Sequence, residues 1–195
     1  MGGFVKLLQN LTGAFIGTRV EALQAFMNQI SVTSILCVEG SRAHQFCMKS
    51  NVPFKVLKRN DRRKSLDLFA SLGEQIILSA GFPWIIDEET LNSVAALKLN
   101  SHPSKLPSFK GNNAIKDALE NGSNTLGVSV HYMKAEVDSG PIIVQEEFSI
   151  EGLSLLEIYE LAFGVIEPRV INQALSIVTS QFAREVNLNL KTKLS

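Results

Sequence analysis

Apolar runs of strand length alternate with amphipathic stretches of helix length along the first half of the chain, and few folds accommodate that order. Gly13 to Ile16, Ser34 to Val38, Phe54 to Leu57, Gln75 to Ala80 and Ala95 to Leu99 are the expected strands. Val20 to Gln29, Ser41 to Ser50, Ser65 to Leu72 and Asp87 to Leu91 are the expected helices. A strand that returns through a helix comes back parallel to itself, so the pattern predicts a mostly parallel sheet with helices on both faces. The fold class is therefore α/β.

The texture changes after Asn100. Ser101 to Gly111 carries two prolines, a histidine and a glycine, and reads as a loop. A helix is expected from Asn112 to Asn121, then strands Gly127 to Lys134 and Pro141 to Phe148, joined by the polar turn Ala135 to Gly140 and paired antiparallel. A long final helix, Ser154 to Thr179, has its apolar positions at helical spacing, and Pro168 predicts a kink or break near Glu167.

The 195 residues fit one α/β domain spanning 1–195, and 45% hydrophobic against 19% charged residues is enough to build a core. With 19 basic and 19 acidic side chains there is no long-range field to draw a polyanion, so nucleic acid is not an expected partner. The basic run Lys55 to Lys64 reads as solvated surface. Cys37 and Cys47 suit neither a disulfide framework nor a metal motif, and both are expected in the core. Three histidines without metal-ligand spacing give no metal site; His131 reads as structural and His44 as surface. With only Lys6 basic ahead of the first strand, no residue that would make Gly2 a myristoylation site, and no apolar stretch of bilayer length, the expectation is a soluble, cytoplasmic protein without membrane contact. Nothing in the sequence bears on oligomeric state.

Chemistry concentrates in two places. Asn100-Ser101-His102-Pro103-Ser104 begins at a strand end, where open α/β sheets place ligands, and Pro103 keeps His102 extended. Asp138-Ser139-Gly140-Pro141 forms a turn after the strand carrying Val128 and Val130. A carboxylate beside an imidazole would raise its pKa and orient it for proton exchange, and Asn100 would add an uncharged donor for an oxyanion.

These residues sit within Asn100 to Gly111, Asn113-Ala114, Ala118 to Glu120, Gly127 to His131 and Asp138 to Gln145, and with Ala80-Gly81-Phe82 and Ile85-Ile86 they closely resemble the folate-dependent formyltransferases. The glycinamide ribonucleotide branch is the nearest over Gln75 to Gln145. The resemblance implies a Rossmann-like formyltransferase fold, Asn100, His102 and Asp138 as catalytic residues, and 10-formyltetrahydrofolate as co-substrate, with no metal. It also implies folate contacts at Phe82, Ile85, Ile86, Pro103, Val137, Gly140 and Pro141, and a small-molecule primary amine as acceptor. The opening departs from that branch: Gly17-Thr18-Arg19 stands at its Gly-Ser-Asn phosphate loop, and is more similar to the methionyl-tRNA and sugar-amine formyltransferases. Gly17, Thr18 and Arg19 are the expected acceptor-side residues, with backbone N–H groups of Gly17 and Thr18 facing an anion and Arg19 gripping or blocking it. Lys105 stands where the family has Leu and is expected to face solvent. The acceptor stays open among glycinamide ribonucleotide, an amino sugar nucleotide and a carrier-bound aminoacyl group. Alternatives are a 10-formyltetrahydrofolate deformylase, with water as acceptor, and a non-catalytic folate-binding module.

Overall fold

A computed structural model describes residues 11–192, with side chains through residue 184; the segment carrying Gly2 and Lys6 lies outside the described residues. Strands β1 (Thr12–Gly17), β2 (Ser31–Val38), β3 (Lys55–Leu57), β4 (Ile76–Ala80), β5 (Leu97–His102), β6 (Thr125–Tyr132) and β7 (Ile142–Ser149) form one sheet in the order β3-β2-β1-β4-β5-β6-β7. Pairing is parallel from β3 through β5 and antiparallel for β5–β6 and β6–β7. Helices α1 (Val20–Met27), α2 (Arg42–Ser50), α3 (Arg62–Ala70), α4 (Glu88–Ser93), α5 (Ala114–Glu120), α6 (Leu155–Tyr159) and α7 (Glu167–Thr192) cover it.

The inner strands are buried on both faces, which explains why they read as continuous apolar runs. Phe15, Leu78 and Leu99 pack with Leu23, Phe26, Val170 and Ile171 of α1 and α7. Ile16, Leu36 and Ile77 pack on the opposite face with Phe69 of α3 and Leu91 of α4. Cys37 and Cys47 are buried with sulfurs 3.7 Å apart, and burial pushes both thiols above their ordinary range.

Three expectations change. The strand expected to stop at Leu99 continues through His102, because residues 99–102 find ladder partners in β6 that local sequence does not reveal. The final helix does not break at Pro168: it widens into a π-helical segment, Glu160–Ile166, and α7 follows directly. Proline cannot donate to the preceding turn and crowds the carbonyl four residues back, and a wider turn at Gly164 accommodates both. Leu155–Arg184 is, by length and composition, apolar enough to cross a bilayer, contrary to the expectation that no such stretch exists. Its apolar stripe, with Val170, Ile171, Ala174 and Leu175, is buried against the sheet.

Candidate active site

The strand order reverses between β1 and β4, and the crevice beyond the carboxyl ends of β1, β4 and β5 is where such sheets bind ligands. A cavity of about 410 Å³ opens there, lined by Thr18, Gly81, Asn100 and His102 at the strand ends. In β5 the alternation of side chains sends Asn100 and His102 to one face and Ser101 to the other. Antiparallel register sets His131 opposite Asn100, so the imidazole expected to be structural lines the cavity.

Asp138 is brought in by the turn between β6 and β7. Its φ is 50°, in the left-handed region that Asp tolerates better than most residues. Gly140 lets this turn close against β6, since a Cβ there would fall on the Tyr132 carbonyl oxygen. Ser129 in β6 donates to the Ser104 carbonyl at 2.6 Å, and Gln145 in β7 donates to Ser129 Oγ at 2.8 Å and the Leu106 carbonyl at 3.0 Å. The loop following His102 is thus anchored to the antiparallel strands. Lys105 faces solvent and pairs with Glu147.

The expected trio is contiguous. Asp138 Oδ2 lies 3.2 Å from His102 Nδ1 and accepts from the Gly111 N–H at 2.8 Å, while Asp138 Oδ1 accepts from Asn100 Nδ2 at 3.1 Å. Asn100 Nδ2 is also 3.2 Å from His131 Nε2. His131 Nδ1 is 2.9 Å from the Tyr132 carbonyl, and its Nε2 faces Asp138 Oδ1 at 3.4 Å as well as the Asn100 amide. Burial pushes the Asp138 carboxyl up, but His131, His102 and the Gly111 N–H together hold it below its ordinary 3.8.

The electrostatics of His102 reverse the expectation of a raised pKa. Desolvation of the buried ring is the largest influence, and although Asp138 and the Phe109 carbonyl favour the charged form, the pKa lies below its ordinary 6.5. Both ring nitrogens nevertheless face acceptors, Nε2 lying 2.9 Å from the Phe109 carbonyl. The geometry suits an imidazolium that burial makes ready to give up its proton.

Of the residues expected to contact the folate, Phe82, Ile85, Ile86, Pro103 and Val137 line the cavity, whereas Gly140 and Pro141 do not: they shape the turn behind Asp138. Trp84 and Met133 add apolar wall that sequence reasoning passed over, with the Phe82 and Trp84 rings edge to face at 5.2 Å. Ile85 remains 60% exposed and Val137 37%, an apolar rim open to a ligand. Arg59, in the basic run read as plain surface, lines this cavity and a second one of about 540 Å³ that shares Thr18 and Arg19. Among the acceptor-side expectations, Gly17 lines neither cavity. Its φ of 147° and its close approach to the Ala80 carbonyl give it a backbone role. The Thr18 N–H, expected to face an anion, instead donates to Ala80 O at 3.0 Å. Arg19 is held by Glu167: its Nε is 2.9 Å from both carboxylate oxygens.

An open sheet with polar side chains gathered at strand ends beside the topological switch defines a Rossmann-like α/β enzyme fold. Residues 28–175 match the formyl transferase family model, and the chain belongs to that family. Methionyl-tRNA formyltransferase of Thermotoga sp. (strain RQ2) is 35% identical over 58% of this chain and 36% of its own length. Trifunctional purine biosynthetic protein adenosine-3 of Chironomus tentans is 36% identical over 70% of this chain and 10% of its own. Phosphoribosylglycinamide formyltransferase of Bacillus subtilis (strain 168) is 34% identical over 53% of this chain and 55% of its own. The chain thus aligns with only part of each of these relatives. The same fold occurs in phosphoribosylglycinamide formyltransferase from Bacillus Halodurans, with TM-score 0.73, 21% identity, and coverage of 86% of this chain and 95% of that one. It also occurs in glycinamide ribonucleotide transformylase 1 from Geobacillus kaustophilus, with TM-score 0.72, 24% identity, and coverage of 87% and 98%.

Proposed function

We propose that the chain transfers a formyl group from 10-formyltetrahydrofolate to the primary amine of a small-molecule acceptor. The observation that carries this reading is the convergence of Asn100, His102 and Asp138 at a cavity to which Phe82, Trp84, Ile86, Met133 and Val137 contribute apolar wall. Phe82, Trp84, Ile86 and Val137 offer apolar surface to a bicyclic reduced pterin, and the irregular backbone of 81–86 and 133–140 offers N–H and C=O groups to its polar edge. The folate supplies an activated formyl group on its nitrogen.

The chain's own residues supply the rest. Asn100 exchanges one of its present hydrogen bonds for the formyl oxygen and stabilises the negative charge that develops there as the amine attacks. His102 in its charged form adds a second donor. Asp138 orients His102 and offsets its charge. The new carbon–nitrogen bond forms, the bond from carbon to the folate nitrogen breaks, and the proton lost by the amine passes to that nitrogen. The acceptor enters from the side of the second cavity, which shares Thr18, Arg19 and Arg59 with the first.

Titration calorimetry with 5-formyltetrahydrofolate, a stable donor analogue, tests the donor half, and millimolar ligand without heat from folded protein would overturn it. Release of tetrahydrofolate, measured with and without a panel of primary amines, tests the acceptor half. Amine-dependent release supports transfer; equal release without amine would make water the acceptor.

A further inference from the structure

Arg19 is unusual among the cavity-lining cations because its guanidinium is consumed inside the protein. Its Nε reaches both Glu167 carboxylate oxygens at 2.9 Å, its Nη2 lies 2.8 Å from Oε1, and the group stacks 4.9 Å above the centre of the Phe163 ring. Nη2 also donates to the Ser101 carbonyl at 2.7 Å. Glu167 is fully buried and accepts a further hydrogen bond from Ser101 Oγ at 2.5 Å. Burial pushes its carboxyl up, and Arg19 and Ser101 oppose that. Ser101 is the residue between Asn100 and His102, so both halves of the ion pair grip the strand end that carries the reacting groups: Arg19 at the Ser101 carbonyl and Glu167 at its hydroxyl.

We propose that Arg19 and Glu167 form an internal strut that positions Asn100 and His102 through Ser101, and that Arg19 does not read the acceptor. This rests on the formyl-transfer reading for its kinetics, though not for its structural content. The strut links the loop after β1, the tip of β5 and the start of α7, and the π-helical segment before Glu167 sets where that carboxylate enters. A planar guanidinium is needed because a lysine presents one point charge and cannot hold the carboxylate and the Ser101 carbonyl in a fixed fork.

Three variants test it. Arg19→Lys keeps the charge and loses the fork. Arg19→Met removes the charge. Arg19→Met with Glu167→Leu replaces the buried pair by apolar groups, a change folds often tolerate, and so guards against simple unfolding of Arg19→Met. The expected result in all three is a fall in kcat, roughly 100-fold where the Ser101 carbonyl loses its donor, with the KM for the amine and the affinity for 5-formyltetrahydrofolate within about 2-fold of the parent. The titratable and charged groups acting on His102 are Asp138, His131 and Arg19. NMR titration of the ligand-free protein should therefore show the His102 pKa rising in Arg19→Met and holding in Arg19→Lys, with the Asn100 side-chain amide signals displaced in both. Amine KM raised about 10-fold or more at unchanged kcat would show that Arg19 contacts the acceptor and would overturn the strut. Unchanged Asn100 and His102 signals would overturn it even in a protein that turned over no amine, whereas failure of folate binding with displaced signals would remove only the formyl-transfer reading.

Discussion

Asn100 donates to Asp138 at 3.1 Å and lies 3.2 Å from His131 Nε2, so its amide sits between the carboxylate and the imidazole. Asn100→Ala removes a donor that the proposed transition state needs, so turnover should fall by about 100-fold or more, roughly 3 kcal/mol, with folate affinity little changed. A loss appearing mainly as weakened folate binding would assign Asn100 to the ground state instead. Asp138→Asn keeps a side chain that can occupy the turn but removes the charge that supports protonation of His102. The His102 pKa, already below 6.5, should fall further, and the limb of the rate profile that reports it should move to lower pH. Rate measurements across pH check this, and an unaltered profile at full activity would make Asp138 a turn residue only. In the proposed reaction these groups act as a unit, so the combined His102 and Asp138 substitutions should cost far less than the product of the separate losses.

At the scale of elements, the β6–β7 turn converts sequence into geometry. Its approach to β6 depends on Gly140, where any side chain would collide with the Tyr132 carbonyl. Gly140→Ala should therefore push the turn outward and carry Asp138 from His102, with a rate loss of about 100-fold and a stability loss of about 1–3 kcal/mol. Comparing kcat with the thermal midpoint separates these effects. A variant that lost stability but kept its rate would show that Asp138 tolerates displacement. The π-helical segment before Pro168 plays a comparable part at the other end of the chain, since it delivers Glu167 to the underside of β5.

For the whole molecule, burial of His102 and Asp138 makes folding pH-dependent. Both pKa values are lowered in the folded state, from 6.5 for His102 and from 3.8 for Asp138, so at each of these two groups the unfolded chain holds a proton that the folded chain has given up, opposite in sign to the raised carboxyl of Glu167. Stability rises with pH wherever the unfolded state holds more protons. It should therefore fall in two stages on acidification: first as pH drops from 6.5 toward the folded-state pKa of His102, then as it drops from 3.8 toward that of Asp138. Urea midpoints across this range check the prediction, with His102→Asn expected to lose the first stage. A first stage that persisted in that variant would place the pH dependence elsewhere.

The sequence by itself determined the α/β class, the mostly parallel sheet and the antiparallel final pair, because strand and helix leave different hydrophobic periods and turns carry their own residue types. It also singled out Asn100, His102 and Asp138. The extension of β5 through His102 depended on ladder partners from β6, more than twenty residues downstream, and a local reading of Ser101 to Gly111 could contain none of them. His131 entered the cavity only because antiparallel register set it opposite Asn100. Desolvation, a property of the packed interior, turned the expected rise in the His102 pKa into a fall. Arg19, judged at first by the loop it occupies, found its partner 148 residues away in Glu167, and a contact at that separation is decided by tertiary packing rather than by local pattern.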